Sequence, residues 1–155
     1  MTPAYSRTRI RLHWLTAGLI VLQFVFHESI AEAWDVIETG LTPAFDPLVA
    51  AHVAGGIAVL ALVVWRLVLR AREGAPPAGG SARVQKAAHW GHLALYGVLV
   101  LLALSGGAAW FGGMAVAAEV HEALKPVLLL LVAGHAAAAL WHQFVVKDGT
   151  LSRMR

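Results

Sequence analysis

The sequence predicts an all-α integral membrane protein: an up-down bundle of four helices with both termini in the cytoplasm. Three observations lead there. The 155 residues are 59% apolar and only 14% charged, against about 25% charged in an ordinary soluble domain, and the mean hydropathy is +0.68. Four apolar stretches approach or exceed the length that crosses a bilayer. Finally, the charges are sorted to the two ends of those stretches. One domain over residues 1–155 follows from the length, which excludes a large multi-domain enzyme.

The spans are expected at about 10–28, 47–69, 86–110 and 119–146; a spanning helix needs about 20 mainly apolar residues. The first exceeds the roughly 7–15-residue core of a signal peptide, so Ala31-Glu32-Ala33 is not read as a cleavage site. Thr42-Pro43 and Asp46-Pro47 break the first connection, the run from Gly74 through Pro76-Pro77 to Ser81 the second, and Gly112-Gly113 the third. No internal repeat and no period-two alternation of a strand is present.

Orientation comes from charge. Arg7, Arg9, Arg11, Arg66, Arg70, Arg72, Arg83, Lys86, Lys147, Arg153 and Arg155 fall on one side, which leaves Lys125 alone among the 12 basic residues on the other. Glu28, Glu32, Asp35, Glu38, Asp46, Glu119 and Glu122 take that other side. Basic loops stay in the cytoplasm, so the acidic side is the outer one. A net charge of +3 without a basic stripe excludes nucleic acid as a partner.

The chemistry rests on histidine. There is no cysteine, which removes disulfides, thiolate nucleophiles, iron–sulfur clusters and covalent haem attachment through C-x-x-C-H. Eight histidines lie in or beside the spans, where ionisable groups mark function or a wet cavity. His27, His89, His92 and His142, near span ends, also fit simple interfacial solvation. His121 and His135 are 14 residues apart, about 21 Å and just under four turns, so they share one helix face. By depth, His52 matches His121 near the outer surface and His13 matches His135 toward the inner one.

Two facing imidazole pairs at two depths point to two haems, one above the other. Imidazole also suits zinc, copper or nickel. A closed zinc site, however, takes four ligands, and no Cys, Asp or Glu lies at the depth of His135. A porphyrin brings four nitrogens of its own. Gly55, Gly56, Gly134 and Ala136–Ala139 leave room for a macrocycle edge, although small residues equally serve close helix packing. Arg66 and Arg70, one turn apart at the inner end of the second span, suit haem propionates and equally serve as positive-inside anchors. Pro126, one turn after His121, either disturbs the helix and aims that ring or is an ordinary first-turn proline.

The stretches Tyr5-Ser6-Arg7, Ile10-Arg11-Leu12-His13-Trp14-Leu15, Ala88-His89-Trp90-Gly91-His92-Leu93-Ala94-Leu95-Tyr96, His135-Ala136-Ala137-Ala138-Ala139-Leu140-Trp141-His142 and Lys147-Asp148-Gly149-Thr150-Leu151-Ser152-Arg153-Met154 resemble bacterial cytochrome b561 proteins over nearly the whole chain. The resemblance implies a four-helix membrane cytochrome with two non-covalent haem b groups that exchanges electrons with quinone. It implies axial ligation by His13, His52, His121 and His135, and propionate or quinone contacts at His89 and His92, with His142 assisting the inner site. The expected place is the bacterial inner membrane, multi-pass, surrounded by lipid. The expected activity is a quinone-linked oxidoreductase moving electrons across the membrane. Alternatives are a haem-relay subunit of a larger oxidoreductase, a superoxide oxidase passing electrons to quinone, and a histidine-lined metal transporter. The acidic outer face disfavours an anionic substrate and favours a cationic redox partner on the periplasmic side. A homodimer is a further expectation.

Overall fold

A computed structural model describes residues 6–74 and 81–154, apart from the side chain of Arg153. Tyr5, the 75–80 part of the Pro- and Gly-rich break, and Arg155 lie outside the described residues. Among the described residues all elements are helical: α1 (Arg7–Val25), α2 (Glu28–Glu38), α3 (Pro47–Glu73), α4 (Ala82–Gly112) and α5 (Ala115–Trp141), followed by a π-helical turn at His142–Val146 and a short 3-10 turn at Ser152–Met154. α3, α4 and α5 with its continuation are each long and apolar enough to cross a membrane, whereas α1 passes together with α2 as a pair bent by 56°.

The ends of these helices follow from local chemistry. Ser6 caps α1 by accepting from the Arg9 amide. Asp46 caps α3, its carboxylate 2.7 Å from the Leu48 amide, and Pro47 stands at the first helical position, where a missing N–H costs nothing. The Asp46-Pro47 break is thus a helix start. Gly113, at a φ of 62°, closes α4 in the left-handed conformation that favours glycine. Only Gly113 and Met114 then separate α4 from α5. Pro126 lies well inside α5, so the first-turn reading does not hold and the carbonyl one turn back lacks its usual donor.

Helix bounds depart from expectation at several places, α4 and α5 each starting four residues early. The first helix stops at Val25, and the connection expected to be loop contains α2, an amphipathic helix that packs on α3 through buried Ala33. α3 runs four residues past 69, to Glu73. Arg9 holds that extension, donating to the Leu69 and Gly74 carbonyls and pairing with Glu73 at 3.2 Å.

Cross-helix contacts fix the alternation of direction. Arg9 meets Leu69 and Arg66 meets His13 between α1 and α3; Arg70 meets His89 between α3 and α4; Leu102 meets His121 between α4 and α5. The Trp14 indole donates to the Met154 carbonyl at 2.9 Å, so the two described chain ends lie at the same end of the bundle.

The packed core is a thin layer: Val59, Val63, Leu99, Leu102 and Leu128, with Val63 fully buried. Leu128 is seven residues from both His121 and His135, so this layer separates two histidine-bearing levels. Many other large apolar side chains face outward, among them Val21, Leu22, Leu101, Leu104, Leu129 and Leu130. Outward leucine and valine on this scale is stable where the surroundings are hydrocarbon.

Candidate haem-binding levels

The level expected on the outer side, called outer below, lies between α3 and α5, under α2. The His52 and His121 rings face one another with centres 6.5 Å apart and planes at 66°. They line a cavity of about 690 Å³, within the roughly 300–1,000 Å³ range of cofactor sites. His121 is anchored by α4: its Nδ1 lies 2.9 Å from the Leu102 carbonyl oxygen. A carbonyl can only accept, so Nδ1 carries the proton and Nε2 keeps its lone pair. Gly106 makes that approach feasible, because a Cβ there would stand 2.9 Å from His121 Nδ1 and 3.0 Å from Cε1. The Nδ1 of His52 is buried without a protein partner, so the fold leaves this ring's polar edge unsatisfied.

The inner level joins α1, α3, α4 and α5. His13 and His135 have ring centres 6.2 Å apart with planes at 60°. Arg66 Nη2 is 3.2 Å from His13 Nδ1, and its guanidinium also lies 5.3 Å from the Tyr96 ring centre. Guanidinium only donates, so His13 Nδ1 accepts here and the neutral ring carries its proton on Nε2. His13 can offer an Nε2 lone pair once Arg66 swings off Nδ1. His92, on α4, stands against His135 edge-on, with ring centres 5.1 Å apart. Its Nδ1 is 2.6 Å from the Ala88 carbonyl.

Closer to the end of the bundle that holds the described chain ends, Arg70 donates to His89 Nδ1 at 3.0 Å. His142 opens the π turn and bonds Asp148 at 2.6 Å. Asp148 also accepts from the Thr150 hydroxyl and amide. The Thr150 hydroxyl, followed by His142, holds the Asp148 carboxyl down at about 2, below its ordinary 3.8.

These distances test the fit of a haem. Two imidazoles facing across one metal, each nitrogen about 2 Å from it, have ring centres about 6.3 Å apart. The 6.5 and 6.2 Å pairs meet that value, whereas His92 and His135 stand about 1 Å too close. Among the described residues no three His, Asp or Glu side chains converge to chelate a bare ion. Two nitrogens per level suit a metal whose other donors come from a macrocycle. The residues fit haem.

The family model described as prokaryotic cytochrome b561 matches residues 4–155. The chain belongs to the prokaryotic cytochrome b561 family. It is 38% identical over 152 residues to cytochrome b562 of Cereibacter sphaeroides, covering 98% of this chain and 95% of that one. It is 32% identical over 180 residues to the probable superoxide oxidase CybB of Yersinia pestis, covering 99% and 97%. Against cytochrome b561 homolog 1 of Escherichia coli strain K12 the identity is 29% over 173 residues, covering 97% and 96%. The protein is therefore a haem b-binding electron-transfer protein of the bacterial inner membrane.

Within this cytochrome b561 chain, the structure brings His52 to His121 and His13 to His135, and places Arg66, Arg70 and His89 at the inner end. Three further residues were not singled out for what they do. Gly106 admits the His121 ring; the signal was a Ser105-Gly106-Gly107 triplet inside an apolar span. His27 lines the outer cavity at the α1–α2 corner, its ring fixed on the Phe24 carbonyl at 2.9 Å. His92 reaches the inner pair itself. Beside His135, Gly134 has open space at its absent side chain and is exposed, as are Ala136, Ala137 and Ala138. At the other level the space at Gly55 is filled by the Gln23 side chain, which corrects the expectation there, while Gly56 does line the cavity.

Proposed function

We propose that this chain carries electrons across the inner membrane through two haem b groups and exchanges them with the quinone pool. The outer haem is held by His52 and His121, the inner by His13 and His135. The observation that carries the reading is the pair of facing imidazole couples, at 6.5 and 6.2 Å, on either side of an apolar layer. Bound haem supplies one-electron redox chemistry at iron. The chain supplies position and charge: Leu102 and Gly106 set His121, and Arg66, beside His13, would pair with a propionate of a haem bound at the inner level. Arg70, His89, His92 and His142 supply further propionate or quinone contacts. Four spans with both termini cytoplasmic accord with the basic residues gathered at the inner end.

The outer surface fits a soluble redox partner of positive charge. Glu28, Glu32 and Asp35, at i, i+4 and i+7 along α2, are exposed together above the outer cavity. A second reading, oxidation of superoxide, is raised by the Yersinia relative. Its weakness here is Lys125, the lone outer cation, held by Glu122 at 2.6 Å and therefore neutralised.

The test is a proteoliposome with ferricyanide trapped inside and quinol or an impermeant reductant outside. The reading predicts loss of ferricyanide absorbance that requires both histidine pairs. Haem reduction with no loss of trapped oxidant would instead favour a relay subunit that works only in a larger complex.

A further inference from the structure

The outer and inner levels anchor their α5 histidines by different means. His121 gives its Nδ1 proton to a backbone carbonyl, Leu102, at 2.9 Å. Among the described residues the His135 ring has no such carbonyl, and the polar group facing it is the His92 imidazole. The state of His92 is set by its own helix: Nδ1 lies 2.6 Å from the Ala88 carbonyl and must be the donor there, so the neutral ring keeps an Nε2 lone pair. That lone pair is an acceptor on the ring that stands edge-on to His135, with planes at 72°. At 5.1 Å between ring centres, the contact is too short to contain a metal and suits an N–H···N bond.

We infer that His92 is a positioning residue for His135: its Nε2 accepts the His135 Nδ1 proton and so fixes the orientation and donor strength of the inner axial ligand. The inference rests on the proposed ligation of the inner haem by His13 and His135. An acceptor on the far nitrogen makes a ligating imidazole more basic and fixes its tautomer. A more basic ligand stabilises the ferric state. Removing the acceptor therefore raises the inner midpoint potential and loosens the ring angle.

The test uses purified, haem-replete protein. It measures haem per chain, the midpoint of each haem, and the low-spin ferric paramagnetic resonance signal of wild type, His92→Leu and His92→Gln. His92→Leu is expected to raise the inner potential by about tenfold in the reduced-to-oxidised ratio, about 59 mV for one electron. The inner resonance signal shifts and the outer haem stays unmoved. His92→Gln, whose side-chain oxygen accepts, restores both readouts. Loss of the inner haem in His92→Leu with recovery in His92→Gln also supports the role. An unchanged inner potential and signal in a His92→Leu protein with two haems would overturn this inference alone. Loss of the inner haem in both variants would overturn it by making His92 a ligand. A wild-type protein lacking the inner haem would overturn it together with the ligation it rests on.

Discussion

The outer and inner levels share a pair of facing imidazoles and differ in almost everything around them. Outside, a cavity of about 690 Å³ lies under an acidic amphipathic helix, and its one lysine is spent on Glu122. Inside, two arginines, His89, His92 and the folded-back C-terminal tail crowd the pair. Carboxylates stabilise the more positive, oxidised haem and guanidinium the reduced one, so the surroundings alone bias the inner haem to the higher potential. With a haem at each level, as proposed, one fold would give two chemically identical cofactors a downhill order, from the acidic side to the basic side.

The largest break in the comparison is steric. Gly106→Leu places carbon where the His121 ring stands and is expected to abolish the outer haem while the inner one stays, read as haem per chain falling from two to one. Gly91→Ala, at a glycine with open space around it, is expected to leave both haems in place.

A smaller effect sharpens the electrostatic half. Arg66→Gln removes the cation beside His13 and should lower the inner midpoint by about 1–2 kcal/mol, near tenfold in the redox ratio; potentiometric titration reads it. An inner potential unmoved by that change would refute the charge-based ordering.

At the outer surface, Glu32→Lys with Asp35→Lys should slow reduction by a basic c-type cytochrome about tenfold at low salt and abolish most of its salt dependence. Stopped-flow kinetics checks it.

The smallest effect concerns the tail. The Asp148 carboxyl titrates at about 2 rather than 3.8, so its bonds to Thr150 and His142 are fully formed above about pH 4 and are lost as the pH falls toward 2. Hydrogen exchange of residues 148–154 should rise over that interval, and Asp148→Asn should raise it already at neutral pH.

Much of this arrangement was legible in the sequence because helix geometry converts residue number into depth. The 14-residue spacing of His121 and His135 put two rings on one face, and counting from span ends matched each to a partner helix. Rotation between helices is a different quantity, set by side chains packing across an interface. His92 therefore read as an interfacial ring or a propionate or quinone contact, although α4 turns it onto His135. Gly106 had no visible role until the ring it admits was placed. Gly55 misled for the same reason: spacing gave its level, and the packing set the Gln23 side chain against it. α2 escaped notice because its 11 residues are too few for a span and its acidic face suits a loop equally well.

The most direct measurement is haem per chain with a redox-resolved spectrum on wild type, His52→Ala and His135→Ala. The account predicts two haem b per wild-type chain, loss of only the lower-potential haem in His52→Ala, and loss of only the higher-potential one in His135→Ala. One haem per chain, or both substitutions removing the same haem, would contradict it.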